Sequence, residues 1–495
     1  MDNQQSNIKY SNIIIKKNID SYILLFDKKN NKFKSIPKTF FKDFIDKDNK
    51  VSDKIFYTNN SSIHFYLYEN EEKNNKLFGT MGKSCRTLNK TTFVFLHGND
   101  ENSVKNQVIN FMLGYYNFDK YKTDDHKKLN KIYLYHPKRR FKKVIEDALY
   151  IANVQNEIRS LINMPANLLN SNVYSKYIKS NIPKKIKLKV YDEKVLKKIG
   201  CNLILGVNNG SKYPAKLLIL EYKNIDKNVD KNVDKNIDKE YKKNREYKKE
   251  KNKSKPVALI GKGVMFDSGG LNIKTGDFSD MKTDMAGSAI IYGTLKLLEH
   301  FNIKGHFIGL LPIVENMVDA NSTRPGDILT AYNGKTVEII DTDAEGRLIM
   351  ADALAFSKNF NPYLCIDIAT LTGQAAAIFG NKSAVVMGNN NKLIQEMINS
   401  GIKNNEKFWE LPMWKEYVEL TKSNIADYKN YTYGVSAGTI MAGAFLSNFV
   451  PQNTNWLHLD IAGVDFLKSN THNRFSGASS ESLRSLFTFL STVKL

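Results

Sequence analysis

The 495-residue chain is poor in cysteine, histidine and arginine, and each shortage removes a class of function. Its three cysteines, Cys85, Cys201 and Cys365, lie far apart and form no CxxC pair. That excludes a disulfide framework and a Cys-based zinc site, and it fits a reduced, intracellular compartment. Neither HExxH nor HxxEH occurs among the eight histidines, which excludes the ordinary His-based zinc peptidases. Apolar runs are short: the longest, such as Phe307 to Val314, fall far below the roughly 18 residues that a bilayer span needs. The start, MDNQQSNIKY, has no basic stretch leading into an apolar core, so no signal peptide is expected. The expectation is a soluble cytoplasmic protein with no membrane partner.

What is present is ordinary globular material. Hydrophobic residues make up 42% and charged residues 25%, which excludes a disordered or collagenous chain. The net charge of +22 raises the question of nucleic acid. Yet only nine of the 73 basic residues are Arg, the side chain whose planar fork reads guanine edges. A solvated, Lys-coated surface is the reading, and nucleic acid is not expected as a partner.

One segment stands apart. From Lys223 to Asp238 the unit Lys-Asn-(Ile/Val)-Asp repeats four times and runs on into EYKKNREYKKEKNKSK. Residues 223–255 carry +6 of the net charge and too few apolar side chains to order a core. They read as an exposed, disordered insertion whose removal leaves the fold intact. Elsewhere strand and helix patterns alternate, the signature of α/β architecture. TTFVFLHG, KIYLYHP, KIKLKVYD, LLILEY, VALIG, HFIGLLPIV, YLCIDIA and AVVMG read as strands, and a long helix ends before Pro165. Asn333-Gly334 marks a hairpin. Two α/β domains are expected, residues 1–150 and 151–495, with the insertion inside the second.

The chemistry is concentrated between Val257 and Gly373. Lys262 and Asp267 sit in the loop after VALIG, Lys274 follows seven residues later, and Asp284 opens a helix. The string DTDAEGRL places Asp343, Glu345 and Arg347 just before the helix IMADALAFS, and LCIDIA runs into Thr370-Leu371-Thr372-Gly373. Open α/β sheets gather ligands beyond the C-terminal ends of their strands, where these loops converge. Four carboxylates brought together cannot all ionise without a cation among them. Oxygen-rich sets of this kind hold divalent metals, and bridging carboxylates place two ions about 3.5–4 Å apart. Taken singly, Asp284, Asp343 and Glu345 are more simply helix N-terminal acids, DSGG is a turn, and each Lys is a solvated side chain.

The strings GKGVMFDSGGLNIK, MKTDMAGSA, ENM, RPGD, DTDAEGRL and DIATLTG occur in the order and spacing of the leucine aminopeptidase (cytosol aminopeptidase) family. NMPAN and WLHLDIAG extend the match, which runs from near residue 155 to the end. The chain therefore resembles that family, and the first 150 residues share only its general α/β pattern. The resemblance implies a macro-like N-terminal α/β domain and a larger catalytic domain with a central mixed sheet. It implies a dinuclear centre, most often zinc, into which manganese, magnesium or cobalt exchanges. Lys262, Asp267, Asp284 and Glu345 match the ligands of the tight ion, and Asp267, Asp343 and Glu345 those of the exchangeable one. Lys274 matches the residue that polarises the scissile carbonyl, and Arg347 the one that holds a bicarbonate ion. Met281 matches a residue lining the pocket for the first side chain, and Thr370, Leu371 and Gly373 the loop that contacts the peptide. The implied activity is release of N-terminal Leu or other apolar residues from short peptides with a free N-terminus, by a homohexamer in the cytosol.

Asp341 departs from the family's usual Asn and adds a carboxylate two residues from Asp343. It either strengthens metal binding or shifts a neighbour's pKa. Two other readings compete with the aminopeptidase one. Some bacterial relatives bind DNA, but here the charge is carried by Lys and partly by the insertion. A serine hydrolase using Ser268 and His97 lacks the GxSxG elbow.

Overall fold

The computed structural model describes residues 98–123, 132–136, 138–225, 255–471 and 473–493, with separate strands and one helix before residue 97. The repeats from 226 to 254, and His97, lie outside the described residues. The chain divides into two compact units: Met1–Glu157 with Leu467–Gly477, and Ile158–Phe466 with Ala478–Leu495.

The smaller unit holds a seven-stranded sheet. Its strands Ile8–Tyr10, Ile132–Tyr135, Thr92–Phe95, Ser21–Asp27 and Ser62–Tyr68 run parallel in that spatial order. Ile55–Tyr57 and Lys32–Phe33 pair antiparallel to Ser62–Tyr68 and Ser21–Asp27. Its helices Glu71–Leu88 and Glu101–Tyr115 touch backbone to backbone through glycine: a Cβ at Gly114 would stand 1.9 Å from the Gly79 carbonyl oxygen.

The larger unit is built on a nine-stranded mixed sheet. Four central strands, Gly305–Asn316, Val257–Gly261, Leu364–Ala369 and Asn455–Asp460, are parallel. Every residue of Val257–Gly261 and Leu364–Ala369 is buried, as a sheet covered on both faces requires. Lys216–Asn224 and Ile186–Tyr191 extend one side antiparallel. Ala384–Gly388 turns antiparallel on the other side, with Phe408–Glu410 beside it. This mixed α/β sheet is the architecture expected of the sequence. Asn333-Gly334 forms the expected hairpin between Ile328–Thr330 and Thr336–Glu338, Gly334 taking the left-handed φ of 85°.

Helix Ala286–His300 lies against the sheet because small residues let it. A Cβ at Gly287 would meet the Ile368 carbonyl oxygen at 2.1 Å. The close approach is pinned by backbone bonds at the strand ends: Lys262 N–H to Ile368 O (3.1 Å), Ser288 N–H to Lys262 O (2.8 Å) and Val264 N–H to Asp284 O (3.2 Å). Helix Glu345–Phe356 begins four residues earlier than the apolar pattern IMADALAFS suggests, so Glu345 and Arg347 stand in its first turn. Among the described residues no helix is long and apolar enough to cross a membrane.

Candidate metal centre

The parallel strands deliver their C-terminal residues to one crevice. The short strand Gly263–Asp267 pairs with the end of Gly305–Asn316, and its register slips between Val264 and Asp267, just before the carboxylate. DSGG then reverses direction, with Gly269 and Gly270 at φ 89° and 67°, a region open to glycine. A Cβ at Gly269 would stand 3.0 Å from Asp343 Oδ1, so this turn also makes room for a site residue.

Two sets of contacts result. Lys262 Nζ donates to Asp284 Oδ1 at 2.7 Å and to the Thr370 carbonyl at 3.0 Å, and lies 3.0 Å from Glu345 Oε1. The Thr370 hydroxyl donates to the same Asp284 oxygen at 2.8 Å. Lys274 Nζ bridges Asp267 Oδ2 at 2.7 Å and Asp343 Oδ1 at 2.5 Å. The sets meet, because one oxygen each from the buried Asp267, Asp284 and Glu345 lies within 4.8 Å of the others. None of these acids caps a helix: Met285 and Ala344 hold the two N-cap positions, and neither gives a side-chain cap bond. The helix-terminal reading therefore fails for Asp284, which lies outside the helix, and holds for Glu345, the first residue of Glu345–Phe356.

Residues from 156 to 233 and from 243 to 487 match the sequence model of the cytosol aminopeptidase family, catalytic domain. The chain belongs to the cytosol aminopeptidase family. Among its relatives, a probable cytosol aminopeptidase of Geobacter sp. is 35% identical over 391 residues, 77% of this chain and 74% of that one. That of Phytoplasma australiense is 34% identical over 433 residues, 85% and 83% of the two chains. The solved cytosol aminopeptidase of Coxiella burnetii superposes with a TM-score of 0.79 at 26% identity, covering 98% of each chain. A bottromycin maturation enzyme solved in complex with Mn shares the fold, with a TM-score of 0.78 at 22% identity over 96% of this chain and 99% of that one. As a member of that family, the chain is a peptide hydrolase of the metallo-aminopeptidase kind.

The donor set suits a cation. Asp284 Oδ2 and Glu345 Oε2 are buried and accept no hydrogen bond, although each has lone pairs that water would otherwise satisfy. Burial pushes Asp267 and Asp284 above the ordinary carboxylate range, with the Glu345 charge adding to it. Burial, with help from Asp267 and Glu345, takes Asp343 up to about 7. Burial pushes Glu345 up as well, but Lys262 and Lys274 outweigh it and hold the acid below its ordinary value. Burial disfavours the Lys262 ammonium, yet Asp284, Glu345 and Asp267 together hold it above its usual range. A metal ligand must be a neutral amine, so Lys262 could serve as one only where a bound cation replaced the charge that its proton supplies.

The remaining expected residues are placed as follows. Arg347 is buried, donates from Nη1 to the Asn430 carbonyl at 2.7 Å, and keeps an unpaired buried Nε. Met281 lies half-buried in the turn Ser279–Thr283, its carbonyl accepting from the Asp284 N–H at 3.4 Å. Leu371 donates its N–H to Asp460, and Gly373 opens helix Gly373–Phe379 with nothing within 4 Å of where a Cβ would stand. Ser268 Oγ is engaged with the Asn316 carbonyl at 2.7 Å.

Sequence reasoning gave no role to two residues of this framework, Asn316 and Asn430. Asn316 donates to both Asp267 Oδ1 (2.9 Å) and the Thr342 carbonyl (3.0 Å); its signal was the ENM string. Asn430, fully buried, fixes the 340–344 turn: its Oδ1 accepts from Ile340 and its Nδ2 donates to the Asp341 carbonyl. No local pattern in YKNYTYG marks it. Asp341 accepts the Asp343 N–H at 2.8 Å, so its carboxylate shapes the turn behind Asp343.

Proposed function

We propose that the chain is a two-metal leucyl aminopeptidase, removing N-terminal Leu or other apolar residues from short peptides. The observation that carries this reading is the three-acid cluster with two unpaired, buried oxygens. Lys262, Asp267, Asp284 and Glu345 would hold one divalent ion, and Asp267, Asp343 and Glu345 a second, with zinc or manganese as the expected metals. When bound, such ions polarise a carbonyl and supply a water acidic enough to attack near neutral pH.

The chain's own groups do the rest. Lys274 is charged, partly exposed and fixed by two acids, so it stabilises negative charge growing on the scissile carbonyl oxygen. Arg347, anchored through Asn430, offers its unpaired Nε to an anion; bicarbonate there would accept the proton of the attacking water. The Thr370–Gly373 loop lines the peptide path, and Met281 lines an apolar pocket for the first side chain. Such a pocket discriminates only by about 1–3 kcal/mol per methylene. We also propose residues 151–495 as the catalytic domain, and the homohexamer and cytosolic location that the family resemblance implies.

The test is hydrolysis of a leucyl-amide reporter after chelation and after adding back zinc or manganese, beside Asp343→Ala. Activity that returns with metal in the wild type, and stays absent in the variant, is expected. A folded protein that stays inactive under every metal overturns the reading. Light scattering of the same sample checks the hexamer.

A further inference from the structure

The Thr370–Gly373 loop touches the acid cluster at one end only. Thr370 binds Lys262 and Asp284, but nothing in that pair of contacts fixes the residues after it. What fixes them comes from the neighbouring strand Asn455–Asp460. Its last residue, Asp460, is fully buried and spends both oxygens on this region. Oδ1 accepts from the Leu371 N–H at 3.1 Å and from the Ala462 N–H at 3.1 Å, while Oδ2 accepts from the Thr372 hydroxyl at 2.7 Å. The Thr372 hydroxyl also pairs with that of Thr439, on helix Gly438–Ser447, at 2.7 Å.

A carboxylate in a fully buried place is costly unless its lone pairs are used. Here burial raises the Asp460 carboxyl, opposed by His458, the Thr372 hydroxyl and the two backbone N–H groups. His458 stands two residues earlier on the same strand face, its Nδ1 2.5 Å from Asp367 Oδ1. Asp367 also accepts from Trp456 Nε1 at 2.6 Å. The acid is thus built into a polar row beneath the loop, where an apolar residue would have packed at lower cost.

We propose that Asp460 is a positioning residue: through Leu371 and Thr372 it sets the Thr370–Gly373 loop against Lys262 and Asp284. It acts on peptide binding through that loop and touches no substrate. The proposal rests on the aminopeptidase reading for its kinetic part. Its structural part stands apart from it, because amide exchange is read whether or not peptide is cleaved.

The experiment compares Asp460→Ala, Asp460→Asn, Thr372→Val and Thr372→Ser in the full-length, metal-loaded protein. Hydrogen exchange followed by mass spectrometry is expected to show at least about tenfold faster exchange for a peptide covering 369–376 in Asp460→Ala. Peptides from Val257–Gly261 keep wild-type protection. With the leucyl-amide reporter, KM rises about tenfold while kcat stays within about threefold. Asp460→Asn recovers most of both effects, since its amide oxygen still accepts from Leu371 and Ala462. Thr372→Val shows a weaker form of the same change, and Thr372→Ser reverses it. Wild-type exchange and KM in Asp460→Ala overturn the proposal, as does loss of protection spread over the whole sheet with no rescue by Asn. Should Asp460→Ala not fold, the Thr372 pair decides: Val behaving as wild type overturns it. A wild type that cleaves nothing, with loop exchange still rising in the variants, would sink the aminopeptidase reading and leave the positioning intact.

Discussion

Two buried acids on one helix, Glu345–Phe356, are treated in opposite ways. Asp352 is saturated: Oδ2 accepts the N–H groups of Leu203 and Ile204 at 2.9 and 3.0 Å, and Oδ1 that of Tyr332 at 2.7 Å. All three donors are fixed backbone, so the acid ties the helix Asn202–Asn208 and the hairpin to the core. Glu345 has one oxygen 3.0 Å from the Lys262 ammonium, a side chain shared with Asp284, and one with no partner at all. An acid that only supports the fold uses its whole capacity within the protein. An acid that serves chemistry holds lone pairs in reserve, at a cost that other contacts must offset.

That contrast separates activity from stability, and variants should divide along it. The largest effect is expected for Glu345→Gln. Residues that merely support metal ligands cost about 10–100-fold when altered, so loss of Glu345 as the proposed ligand should exceed about 100-fold in kcat/KM. Elemental analysis should show fewer metal ions per chain, while the melting temperature of the chelated protein moves little. Retention of full activity would erase the distinction drawn here.

Asp352→Ala should do the reverse. It strands three buried backbone donors, for a loss of about 2–4 kcal/mol in urea unfolding, with kcat of the folded fraction unchanged. The pH dependence sharpens the point. Burial takes the Asp352 carboxyl up to about 7 in the fold, from an ordinary value of 3.8. A raised acid contributes stability that is fully present below the unfolded pKa and is lost as pH rises through the folded one. The stability of the wild type relative to Asp352→Asn should therefore fall between about pH 4 and 7 and level off above. A gap that does not change with pH would remove Asp352 as its source.

The smallest effect is expected for Asp341→Asn. The amide oxygen can still accept the Asp343 N–H, so activity should stay within about twofold, whereas Asp341→Ala should lose several-fold through a loosened turn. A large loss in the Asn variant would mean that the charge itself serves the centre.

Much of this was legible in the sequence, for definite reasons. Continuous apolar runs such as VALIG and LCIDIA announce doubly covered strands, and Asn333-Gly334 permits only a tight turn. The acids and lysines stood out because their strings share a spacing with a known family. Less visible were residues whose importance lies in a distant partner. Asn430 and Asp460 are a lone Asn in a loop and a lone Asp at a strand end, and only the fold shows what they bind. Helix Glu345–Phe356 starts before its apolar pattern does, because that periodicity begins at Ile349 while the backbone is already helical from Glu345. Propensity could not reveal that the first turn is reserved for charged groups.

The contacts around the acids also join stretches that leave the ribosome at very different times. Lys262 meets Thr370 across 108 residues, and Leu371 meets Asp460 across a further 89. A nascent chain that has exposed DTDAEGRL already carries every acid of the cluster, yet it has neither the strand that flanks the site nor the residue that steadies its loop. The crevice in which the proposed ions would sit is therefore complete only after the strand ending at Asp460 has been synthesised and paired. On the two-metal reading proposed above, loading would be a late event in the life of each molecule, and topology alone would keep an unfinished copy from acting as a peptidase.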